Sequence, residues 1–88
     1  MMNLKYNVEV QRVLDKIIAV LPPVNPGDDT RILNLNETSL DILNAIKDGL
    51  TEDDICKHIA EIYDIDEEIA KEDTKAFIQD LKDNGILE

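Results

Sequence analysis

The side chains that could make a nucleophile–histidine pair are Ser39, Cys56 and His58. A serine or cysteine nucleophile needs a base held within hydrogen-bond reach. His58 is the one histidine, and it sits beside Lys57, away from the apolar Ile55 and Ile59. It reads as exposed and structurally neutral. Cys56 falls in the apolar face and reads as an inert core residue. A single cysteine also excludes an internal disulfide and a cysteine-based zinc site. The carboxylates are numerous but wrongly spaced. Asp64, Asp66 and Glu68 alternate like the opening of a calcium loop, yet Ile69 and Ala70 follow where that loop needs its glycine. Helix capping and a solvated face account for these acids. The only glycines are Gly27, Gly49 and Gly85, so there is no glycine-rich phosphate loop. The expectation is a protein that is not an enzyme and needs neither metal nor cofactor.

The elements behind these residues can be read from spacing. The chain has 88 residues, enough for a single domain over 1–88, and 43% of them are apolar. Its aromatics are Tyr6, Tyr63 and Phe77, so the core must be mainly Ile, Leu and Val. No apolar run approaches the length of a membrane span, and the first residues lack a signal-peptide layout, which makes the cytoplasm the expected location. Strands are expected over about 6–13, 17–21 and 31–35. Val8 and Val10 alternate with Glu9 and Gln11, and 17–21 is a continuous aliphatic run of the kind a strand covered on both faces shows. Leu14-Asp15-Lys16 reads as a hairpin loop, and the breaker-dense stretch 22–30 as a longer loop. A meander puts 17–21 in the middle and 31–35 at an edge.

Helices are expected over about 37–48, 52–63 and 67–84. The first carries Leu40, Leu43 and Ile46 as its stripe and stops at Gly49. Thr51 caps the second, Leu50 and Ile55 form its hydrophobic staple, and Ile55, Cys56, Ile59, Ile62 and Tyr63 form its buried face. In the third, Ala70, Thr74, Phe77 and Leu81 share one face, flanked by Ile69, Asp73, Ala76 and Asp80 on one side and Ile78 on the other. Gly85 fits its left-handed stop. Three amphipathic helices need a shared partner, which one face of a small sheet supplies. The fold class is therefore α+β: a winged-helix-like domain with a three-stranded antiparallel sheet followed by three helices.

Charge narrows the partners. The net charge is −11, and residues 36–88 hold all of it, with five bases against sixteen acids. Such a field repels phosphate backbones and favours basic partners. A winged-helix outline suggests DNA, but 66–84 carries seven acids and three lysines, which argues against nucleic acid. Thr38-Ser39-Leu40-Asp41 looks like the serine site of an acyl carrier protein. In that family an aspartate precedes the serine and a long helix comes earlier. Here Thr38 precedes it and the N-terminal third is strand-like. A third reading is a winged-helix interaction domain that dimerises. What the elements leave is an edge and a groove: the strand at 31–35 offers unpaired backbone groups, and the third helix can lie beside it.

Leu35-Asn36-Glu37-Thr38-Ser39, Ile42-Leu43, Asp48-Gly49, Thr51, Ile55, Tyr63-Asp64, Asp73, Phe77, Leu81 and Gly85-Ile86-Leu87 together resemble the PqqD-like family, the RiPP precursor peptide recognition elements. The resemblance is good over 33–88 and weaker over 6–32. It implies a stand-alone adaptor, or chaperone, that binds the leader segment of a ribosomally made precursor peptide. The leader adds as a strand to the third strand, against the third helix. The positions carried over are Arg31, Ile32, Leu33, Asn34 and Leu35, with Asp73, Ala76, Phe77 and Asp80 on the helix. The implied partners are the precursor peptide and a radical S-adenosylmethionine or other modifying enzyme, with no nucleic acid and no membrane. The chain itself is expected as a monomer or weak homodimer. Ser39 departs from a position where the family often has glycine, Leu43 from one where tryptophan is common, and the proline-rich 22–30 loop is distinctive.

Overall fold

A computed structural model describes residues 2–5, 7–23 and 25–88. Tyr6, the expected start of the first strand, and Val24, in the expected loop, lie outside the described residues. Strands β1 (Glu9–Val13), β2 (Lys16–Leu21) and β3 (Arg31–Leu35) come first, followed by helices α1 (Glu37–Lys47), α2 (Glu52–Tyr63) and α3 (Glu67–Asp83). The sheet is antiparallel in the order β1-β2-β3, so the expected α+β class holds and β3 is an edge.

The hairpin sets the hydrogen-bond parity of the whole sheet. Val13 pairs with Lys16 across the two-residue turn Leu14 and Asp15, and Leu14 takes a positive φ of 59° to close it. A pair that closes a two-residue turn exchanges both backbone hydrogen bonds, and such pairs recur at every second residue. Lys16, Ile18 and Val20 therefore bond to β1. Ile17, Ala19 and Leu21 bond to β3, opposite Leu35, Leu33 and Arg31. Ile32 and Asn34 are left with their N–H and C=O groups pointing out of the sheet.

One face of the sheet is covered. Ile17, Ala19 and Leu21 are buried, while Ile18 and Val20 are half-buried and Ile32 is exposed. The continuous apolar run of β2 predicts cover on both faces, but all three helices lie over one.

The helix ends follow local chemistry. Asn36 caps α1, its Oδ1 accepting from the Ser39 N–H at 2.8 Å, and Thr51 Oγ1 accepts from the Asp54 N–H at 3.2 Å to open α2. After α1, Gly49 has φ 87°, and two bonds close the stop: Gly49 N–H to Ile46 O at 3.0 Å and Leu50 N–H to Ala45 O at 3.1 Å. Gly85, at φ 71°, repeats this after α3, with Ile86 N–H donating to Leu81 O at 2.8 Å. Asp64 takes the same left-handed position after α2.

The core is aliphatic. Ile42, Leu43, Ile46, Ile55, Ile59, Leu81 and Ile86 are each at most 4% exposed. Each contributes about 2 kcal/mol through burial. Ile62, expected in the buried face of α2, is 47% exposed. That face centres between Ile59 and Cys56, and Ile62 lies a quarter-turn away at its margin; Ala60 is buried instead. In α1, Leu40 is half-buried while Ile42 and Ala45 join Leu43 and Ile46 in the core. The helix packs against β3, α2 and α3 together, which rotates and widens its buried face. Asn3, Leu4 and Lys5 pair with the C-terminal residues through a bridge at Leu87, so the two ends of the chain are tied.

Candidate functional site

An open cleft of about 230 Å³ lies between the start of α1 and the middle of α3. Asn36, Thr38, Ser39 and Ile42 form one wall; Asp73, Ala76, Phe77 and Asp80 form the other. The second set is spaced i, i+3, i+4 and i+7, so a single stripe of α3 faces the cleft. That stripe adjoins the core face: Phe77 is buried and reaches the cleft at its edge, while Asp73, Ala76 and Asp80 are exposed. The first wall follows directly from Leu35, the last residue of β3.

β3 leads into this cleft at Asn36, although no residue of the strand lines it. The start of the strand is tied to the end of α3 by Arg31, whose Nη1 donates to Asn84 O at 3.0 Å and whose Nε donates to Pro22 O at 3.1 Å. The side chain of Arg31 is thus engaged in holding strand to helix. Leu33 and Leu35 are half-buried on the helix side of the sheet; Ile32 and Asn34 are exposed, with their backbone groups unpaired within the sheet.

Of the nine residues singled out from sequence, the four on α3 come together in one cleft, while none of the five on β3 lines it; the strand meets the cleft only through Asn36, the residue after Leu35. Asn36, Thr38, Ser39 and Ile42 were not among them. Their signals were absorbed by another role: Asn36 and Ser39 mark a helix start, and Ile42 lies off the Leu40-Leu43-Ile46 stripe. A polar first turn beside an open strand is the clue that could have found them.

The electrostatics divide cleanly. Arg12 clasps Glu37 with two hydrogen bonds, at 3.0 and 3.2 Å, which holds the Glu37 carboxyl below its ordinary pKa and raises that of Arg12. The Tyr63 hydroxyl donates to Asp41, and this bond, aided by burial, raises the pKa of the phenol. Asp73 and Asp80, in contrast, make no side-chain hydrogen bond or ion pair with any described residue. Among the described residues no group of three or more His, Cys, Asp or Glu side chains comes together as a metal site requires. Cys56 is buried and His58 exposed, on nearly opposite faces of α2. Ser39 opens α1 after three strands, where a carrier protein has a long helix. No helix among the described residues is long and apolar enough to cross a membrane.

The arrangement can bind an extended segment: backbone donors and acceptors on one side, an apolar floor, and carboxylates on the far wall. A family model described as coenzyme PQQ synthesis protein D (PqqD) matches residues 18–87. No curated protein matches the chain. Among solved structures, "Lasso peptide synthetase B1 complexed with the leader peptide" is similar with a TM-score of 0.77 at 21% identity, over 99% of this chain and 96% of that one. At this identity the likeness establishes a shared fold.

Proposed function

The chain belongs to the PqqD family, and on that premise we propose that it is a non-catalytic adaptor that binds the leader segment of a ribosomally made precursor peptide and presents it to a modifying enzyme. The observation that carries this reading is the open edge of β3 beside the α1–α3 cleft. The fold it shares with a synthetase component solved in complex with a leader peptide supports it further. The leader adds as a fourth strand. It bonds to the outward groups of Ile32 and Asn34 and lays a side chain into the cleft against Asp73, Ala76, Phe77 and Asp80.

Magnitudes assign the parts. Two N–H and two C=O groups face outward, and each backbone hydrogen bond is worth only about 1 kcal/mol net. Micromolar affinity requires roughly 8 kcal/mol. The main chain therefore sets register and direction, and the guest's side chains, the one seated in the cleft among them, must supply the rest of the affinity. A radical S-adenosylmethionine protein or another peptide-modifying enzyme acts on the presented peptide, in the cytoplasm where such precursors are made.

Proline substitution tests the edge. Ile32→Pro and Asn34→Pro each remove an outward N–H and leave the β2–β3 ladder intact. Both should keep the native circular dichroism spectrum while weakening binding of the leader from the precursor encoded beside this gene by tenfold or more. Leu33→Pro, which removes a ladder donor, should unfold the sheet. Unchanged leader affinity in both edge variants contradicts strand addition. A doubled solution mass that persists when leader is added points instead to β3–β3 dimerisation.

A further inference from the structure

We infer that the α1–α3 cleft is a receptor for one basic side chain of the guest strand: a lysine or arginine whose stem lies over Phe77 and Ile42 and whose head is met by Asp73 or Asp80. This deepens the leader-binding reading and rests on it.

The first observation is how charge is distributed around α3. Its three lysines are Lys71, Lys75 and Lys82. At 100° per residue all three fall on the side of the helix opposite Asp73, Ala76, Phe77 and Asp80. The helix therefore turns its carboxylates to the cleft and its ammonium groups away. The facing wall adds no cation: Asn36, Thr38 and Ser39 are neutral, and Arg12 is engaged with Glu37. Asp73 and Asp80 are carboxylates with no partner among the described residues, set about 10 Å apart along the helix.

The second observation is the shape between them. Ala76, Phe77 and Ile42 make an apolar floor in a space of about 230 Å³, room for one long side chain. An apolar guest would match the floor but strip water from the two carboxylates without replacing it. An acidic guest would be repelled. Lysine and arginine satisfy both parts, because their methylene stems cover apolar surface while the charged head seeks acceptors. The Ser39 hydroxyl offers one more acceptor at the rim.

The third is register. Guest side chains on the helix side of the sheet recur at every second residue. The one next to Leu35 is delivered to the wall that begins at Asn36, so a single position of the guest meets this cleft.

Selection from a displayed library of random linear dodecapeptides tests this without knowledge of the natural leader. Binders to the wild-type protein that are lost with Asn34→Pro should share a lysine or arginine at one position of an alternating apolar pattern. The same selection against the Asp73→Asn/Asp80→Asn double variant should lose that preference. In a synthesised binder, replacing the basic residue by methionine should weaken wild-type binding roughly tenfold and change binding to the double variant little. Edge-dependent binders with no basic preference overturn the inference and leave strand addition standing. Basic binders indifferent to Asn34→Pro overturn it too, since the side chain is then not delivered by an added strand. If no binder depends on the β3 edge, both fall.

Discussion

At the scale of single residues, the site divides into groups already partnered and groups left open. Tyr63 is partnered: its neutral hydroxyl donates to Asp41, with Thr38 nearby, and its pKa is raised. The sign follows from linkage. The contribution of this bond is complete below the unfolded tyrosine value, near 10, and is lost as pH rises through the higher folded value. Tyrosinate absorbance of the Tyr6→Phe variant should therefore titrate above free tyrosine, and Asp41→Ala should bring it back down; coincident titrations contradict the bond. Thr74 shows the opposite case, a fully buried hydroxyl on α3 with no hydrogen-bond partner among the described residues. The carboxylates of Asp73 and Asp80 and the backbone groups of Ile32 and Asn34 are what remains for a guest. The α3 wall was legible in the sequence because helical spacing alone assembles 73, 76, 77 and 80. The α1 wall was not, because Asn36, Thr38 and Ser39 carry the same signature whether they cap a helix or line a cleft.

At the scale of elements, the chain is governed by stops. Periodicity and caps identify the three strands and three helices in order, since each boundary is marked by a residue with a local reason to be there. Gly49 is the cleanest example. It has φ 87°, and a Cβ placed on it meets nothing within 4 Å. Gly49→Ala should thus cost about 1 kcal/mol through backbone conformation alone, measured as a shifted urea midpoint with unchanged slope; an unshifted midpoint contradicts the left-handed stop. What periodicity could not reveal was how far each face is covered. The apolar run of β2 looks the same whether one layer or two lie over it, and the rotation of α1 depends on β3, α2 and α3 meeting it at once. The parity that exposes Ile32 and Asn34 follows from the length of one turn, Leu14 and Asp15, together with a strand register that only the paired sheet displays.

At the scale of the whole molecule, a three-stranded sheet with β1 and β3 as its edges is fixed to an acidic helical layer. The tie at Arg31 holds the start of β3 against the end of α3, and the bridge at Leu4 and Leu87 closes the termini. The net charge of −11 belongs to residues 36–88, so the helical layer attracts a basic leader. Salt should therefore slow association of a basic leader more than it speeds dissociation. The account depends on the guest completing the sheet, and amide hydrogen exchange reads that at single residues. In the free protein, the amides of Ile32 and Asn34 should exchange fast while that of Leu33, bonded to β2, is protected. On addition of the leader from the adjacent precursor, Ile32 and Asn34 should become protected together, with little change at Leu33. If leader binds and both amides still exchange as in the free protein, no strand has been added and the account is wrong.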